Sequence, residues 1–173
     1  MFPSHDPDRK CSVSLLHGDL SEGQMRGLYE HEKVKSMINI SHGEGFGLPL
    51  FEAARACLPI LSIGWSGQVD FLSDKYLKVK HELRPVDPQA VWDGVIQRDS
   101  VWAYADQGSY KMSLRMMYKK YDDFLKLAKE LQEHVNQNFV DEVLFSRFCN
   151  SILLGNIEIP EMSIEESEVE IYE

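Results

Sequence analysis

Cysteine is scarce in this chain. Only Cys11, Cys57 and Cys149 occur among 173 residues, an odd number with no CxxC and no Cys/His spacing. That argues against a disulfide framework and a motif-built zinc site, and leaves reduced, buried thiols as the expectation. Long apolar runs are lacking too. Nothing approaches the roughly 18 residues a membrane span needs, and the mean hydropathy is −0.31. The opening MFPSHDPDRK has no apolar stretch like that of a secretory signal, so a cytoplasmic location is expected. Positive charge is also short: Lys and Arg number 18 against 28 Asp and Glu, a net charge of −10. No basic stripe stands out to neutralise phosphates, and nucleic acid is not an expected partner.

What is present is enough apolar material for a core, with 43% hydrophobic and 10% aromatic residues. One domain over residues 1–155 and an acidic tail over 156–173 are expected. The tail holds seven glutamates and no Lys or Arg; without those glutamates the remainder stands at −3. Ile157, Ile159, Ile164, Val169 and Ile171 alternate with its acids. That pattern leaves a solvated extension, an added edge strand and a docking segment all open.

The first half alternates β-rich runs with helical patterns, the mark of βαβ units and a parallel sheet. Strands are expected at Cys11–Leu16, Ser36–Ile40, Pro59–Ile63 and Tyr76–Lys80. Ser21 with Gln24 forms a capping box opening a helix to about Lys33. Leu48–Cys57 reads as a helix with Pro49 in its first turn, and Gln68–Leu72 as a short one. Residues 81–99, broken by Pro85 and Pro88, carry no clear pattern. From about Gly108 the chain reads as helical, with Val140–Leu154 as the closing helix. Four parallel strands are fewer than a doubly wound domain normally carries, as if the opening units of the sheet were missing.

The stretch with chemistry in it is Ser41–Glu52, SHGEGFGLPLFE. It leaves the carboxyl end of a strand, passes Gly43, Gly45 and Gly47, and enters a helix. In open parallel sheets that edge is where ligands bind. Glycines let a ligand approach the backbone, and the free amides of a helix start attract phosphate. The spacing fits neither GxGxxG nor a P-loop. Glu44 in the loop and Glu52 in an otherwise apolar helix are bidentate acceptors suited to vicinal hydroxyls. A diphosphate flanked by a sugar and a ribose, that is a nucleotide-sugar, satisfies all three features. The alternative has Glu44 as a solvated loop residue and Glu52 paired with Arg55.

EGFGLPLFEAARACLPI resembles the donor-site motif of retaining glycosyltransferases of the GT-B fold, usually PSxxEGFGLPxxEAMAxGxPVI. The likeness extends over roughly Cys11–Leu154, including GWSGQVDFL and the Asn138–Phe139 pair near the closing helix. It implies a Rossmann-like α/β sheet, the C-terminal donor half of that fold and incomplete, followed by C-terminal helices. It further implies that Glu44 accepts hydrogen bonds from the transferred sugar and takes the catalytic role. Gly45, Phe46, Gly47 and Leu48 would hold sugar and diphosphate through their backbone, and Glu52 would bind the ribose diol. Gly18 and Asp19, at the end of the first expected strand, stand where the family places the base. His42 beside the motif either touches the donor or bonds to backbone.

The sequence departs from the family pattern in three ways. Ile40 replaces a proline, Cys57 replaces the glycine that ends the helix, and the cationic pair that grips the diphosphate lies upstream of anything present. The resemblance therefore implies a fragment or subunit without an acceptor domain, inactive alone, acting on an unknown acceptor. No cofactor or metal is expected, with the nucleotide-sugar as substrate; the DxD at Asp6–Asp8 precedes the first expected strand rather than following one. A non-catalytic nucleotide-sugar-binding or interaction module is the alternative. A homodimer or a partner chain is expected to cover the open sheet edge.

Overall fold

Ile60–Ile63 ends the longest buried run among the described residues, which begins at Leu58. In the computed structural model, which describes residues 11–153, Ile60–Ile63 is strand β2. It lies between β1 (Met37–Asn39) and β3 (Leu77–Val79), both parallel to it, in the order β1-β2-β3. A central parallel strand covered on both faces needs no polar alternation, which is why it reads ILSI.

Two apolar layers cover the sheet. Leu50, Ala53 and Ala54 of α2 (Leu48–Arg55) pack with Ile60, Phe71, Leu131 and Val135 on one face. Leu61, Ile63 and Val79 face Ala103 and Met117 on the other. Phe71, Leu50 and Leu131 are fully buried, each contributing about 2 kcal/mol of transfer free energy. Leu131 and Val135 belong to α5 (Tyr121–Asn138), which lies along α2. α1 (Glu22–Tyr29) opens on the expected capping box: Ser21 Oγ accepts from the Gln24 amide and Gln24 Oε1 from the Ser21 amide. α3 (Val69–Leu72) is a single turn, and α6 (Asp141–Leu153) closes the described chain.

One expectation is corrected and two are sharpened. Cys11–Leu16 is not a strand: residues 11–20 form an exposed coil, with Leu15 at 83% exposure, and the parallel sheet has three strands rather than four. An apolar run becomes a strand only where a neighbour offers a ladder, and the outer edge of β1 does not take this one. Residues 81–99, read as carrying no clear pattern, begin with β4 (His81–Pro85), which pairs antiparallel with β5 (Val101–Ala105) beyond them. Pro85 ends β4, where a missing donor costs the ladder little. The chain is helical from Gln107, as expected from about Gly108, and divides into α4 (Gln107–Lys119) and α5 at Lys120, with φ −121° and ψ 39°. The acidic tail and Asp6–Asp8 lie outside the described residues.

The end of α2 resolves the substitution of cysteine for glycine. The Leu58 amide donates to Ala53 O at 3.0 Å and the Cys57 amide to Ala54 O at 3.1 Å. These are the two bonds of a Schellman motif, which requires a left-handed residue after the cap. Cys57 adopts it at φ +60°, a conformation that costs a residue with a Cβ roughly 1–2 kcal/mol.

Candidate functional site at the carboxyl edge of the sheet

The loop after β1 and the turn after β2 meet above the carboxyl ends of their strands. Ser66 joins them. Its hydroxyl accepts from the Glu44 amide at 3.1 Å and donates to Glu44 O at 2.6 Å, while the Gly67 amide donates to the same carbonyl at 3.0 Å. These bonds hold Ser66 at φ +74°, the kind of local strain that surrounding contacts sustain. Gly67 has no alternative residue here, because a Cβ would run into the Gly45 carbonyl. Gly47 caps α2 at φ +87°, and a Cβ there would lie 3.0 Å from that of Gln68.

Glu44 is half-buried and anchored, not solvated. Its Oε1 accepts from Asn39 Nδ2 at 2.8 Å and from Ser41 Oγ at 2.7 Å. Both bonds fall on one oxygen, which leaves Oε2 with lone pairs for another donor. Asn39 in turn accepts from the Ser41 amide at 2.8 Å. Next to this carboxylate, the amides of Gly45, Phe46, Gly47 and Leu48 donate no hydrogen bond among the described residues. Unused amide donors at the start of a helix are the kind of group that attracts an anion. Phe46, partly exposed, packs on Phe51 and Phe71 and fixes the loop over the core, while the Leu48 side chain is exposed.

Glu52 follows eight residues later, on the side of α2 turned to α1. It lines a cleft of about 540 Å³ with Leu20, Arg26, Tyr29, Arg55 and Asn136. Among the described residues it makes no ion pair, so the expected alternative partner Arg55 does not hold it. Its neighbour is Tyr29: burial, and then the Glu52 carboxylate beside it, push that phenol up to about 12. The cleft thus holds a carboxylate beside a phenol, and is lined as well by Arg55 and by Arg26, which is tied to Glu30 at 2.8 Å.

His42 is tied to β5. Its Nδ1 bonds Ala103 O at 2.8 Å, its own carbonyl accepts from the Ala103 amide, and its ring stacks on Trp102 at 4.9 Å. Gly18, at φ +134°, and Asp19 are exposed in the coil before α1 and do not line the cleft. Because the strand expected before them is absent, the end-of-strand placement given to them is corrected; Leu20, next in sequence, does reach the cleft. Asn39 and Tyr29 were not legible as site residues. Asn39 interrupts the apolar run SMINI at the end of β1, and that interruption was the only signal. Tyr29 lies one helical turn beyond Met25, which reads as ordinary packing.

The chain matches no protein-family profile and no curated protein at a significant level.

Proposed function

We propose that this chain is the donor-binding part of a retaining glycosyltransferase of the GT-B type, with a Rossmann-like sheet and a nucleotide-diphosphate sugar as its substrate. The observation that carries the reading is the row of four unused amides from Gly45 to Leu48, flanked by one anchored and one cleft-facing carboxylate. In this reading the amides and the α2 dipole hold the diphosphate. Glu44 uses its free Oε2 to accept from hydroxyls of the sugar, and Glu52 accepts from the ribose diol. No side chain need act as nucleophile: the acceptor attacks from the face the diphosphate leaves, and catalysis is positioning plus stabilisation of the departing charge. His42 serves the site by fixing the loop to β5 rather than by touching the donor. The acceptor site lies on another domain or chain, and the chain alone is inactive. The outer edge of β1, unpaired among the described residues and with Ile38 partly exposed, is where that partner or a second copy pairs.

Calorimetric titration with UDP, GDP and ADP tests the reading. One nucleotide binds the wild-type chain, and Glu52→Gln weakens it about tenfold, or 1.4 kcal/mol, without changing the melting temperature. Silence from all three nucleotides, or equal affinity in Glu52→Gln, overturns the reading.

A further inference from the structure

Helix α4 turns only part of its large apolar side chains inward, Tyr110 and Met117. Its buried positions are Ser109, Ser113 and Met117. Met112, Leu114, Met116 and Tyr118 face solvent, with Tyr118 at 87% and Met112 at 63% exposure. A surface helix ordinarily turns its large apolar residues inward. The inner face here is already committed, since the Ser109 hydroxyl accepts from the Lys80 amide at 3.0 Å. The large apolar residues outside are thus surplus to the fold.

Cations are interleaved with them. Lys111, Arg115 and Lys119 recur every four residues along one row, Lys120 follows, and no Asp or Glu occurs from 107 to 120. The nearest acid before them, Asp106, is occupied as the helix cap, accepting from the Ser109 amide; Asp122 and Asp123 begin α5 beyond them. Among the described residues none of the four cations makes an ion pair. Lys35 and Ser36 face the helix across a groove of about 380 Å³ floored by Leu114, Met117 and Tyr121.

We infer that the outward face of α4 and this groove are a contact surface for a bilayer carrying anionic lipid. An anionic partner with an apolar layer beneath its charges matches both halves of the face: Lys and Arg heads reach the headgroups while their stems and the methionines sink below them. An acidic polypeptide is the competing occupant. It would find no strand edge here, because the backbone of α4 is spent within its own helix, and would be held by side chains alone. The chain as a whole carries −10, so attraction comes from this patch only and depends steeply on anionic lipid and on salt. The inference does not depend on the nucleotide reading.

Vesicle flotation with the full chain tests it. Vesicles of phosphatidylcholine and phosphatidylglycerol in equal parts carry the chain upward, and vesicles of phosphatidylcholine alone leave it in solution. Arg115→Ala and Lys119→Ala each reduce partitioning about fivefold, an effect that fades at high salt. Tyr118→Ser, at a position that buries nothing in the fold, reduces it at any salt. Unchanged far-ultraviolet circular dichroism verifies folding of each variant. A chain that floats with neither vesicle, or whose flotation ignores all three variants, overturns the inference. So does protection of α4 from hydrogen exchange by a poly-glutamate peptide and not by anionic vesicles, which assigns the face to an acidic polypeptide.

Discussion

Glu44 and Glu52 bracket the same loop and helix start, yet they are held by opposite means. Glu44 is gripped by Asn39 and Ser41 in a loop that Ser66 and Gly67 close from the next strand. Glu52 stands in an open cleft beside a phenol, with no cation on it among the described residues. The contrast teaches that the first carboxylate is part of the architecture, with one oxygen spent and one spare. The second is held by no cation among the described residues and lines a cleft, and such a group is the better candidate for a ligand contact.

The strongest way to break the contrast is Gly67→Ala. The added methyl drives into the Gly45 carbonyl, so the loop under Glu44 must shift, and stability falls by about 3 kcal/mol in urea denaturation. The Tyr29–Glu52 pair stays as it is, visible as an unchanged Tyr29 titration below the unfolding transition. Asn39→Ala acts more gently: it removes one charge-assisted bond from Glu44 and costs about 1.5 kcal/mol. A loss below about 0.5 kcal/mol would mean that Glu44 is not anchored as described.

Cys57→Gly moves stability the other way. It relieves a left-handed cysteine at the far end of α2 and raises stability by about 1 kcal/mol. A destabilised variant would show that the thiol packs better than its backbone conformation costs.

The smallest effect sharpens the Glu52 side. With Tyr29 raised from 10 to about 12 in the fold, the native state keeps a proton that the unfolded chain releases. This contribution is fully present below pH 10 and is lost as pH rises towards 12. Ultraviolet titration of Glu52→Gln should bring the Tyr29 midpoint down, leaving only the part due to burial. An unmoved midpoint would separate the phenol from the carboxylate.

Much of this was legible beforehand because it rests on local chemistry. The Ser21–Gln24 box, Pro49 in the first turn of α2 and the buried run at β2 each follow from spacing and side-chain type. The glycine loop was legible for the same reason. What escaped depended on partners distant in sequence. Cys11–Leu16 has the composition of a strand but no neighbour to pair with. β4 and β5 have a ladder that the intervening prolines disguise. The break at Lys120 has no Gly or Pro to announce it. At the site, Glu44 and Glu52 were visible as residues, whereas their opposite settings were not, because Asn39, Ser66 and Tyr29 reach them only through the fold.

The tie between His42 and Ala103 spans 61 residues of sequence. During synthesis the glycine loop leaves the ribosome long before β5 exists to anchor it. Its final shape must wait for that strand, since a contact of such separation forms late and slowly. A nascent chain stopped short of residue 101 would carry every residue of the loop and the Ser66 tie to Glu44, yet lack the strand that fixes His42.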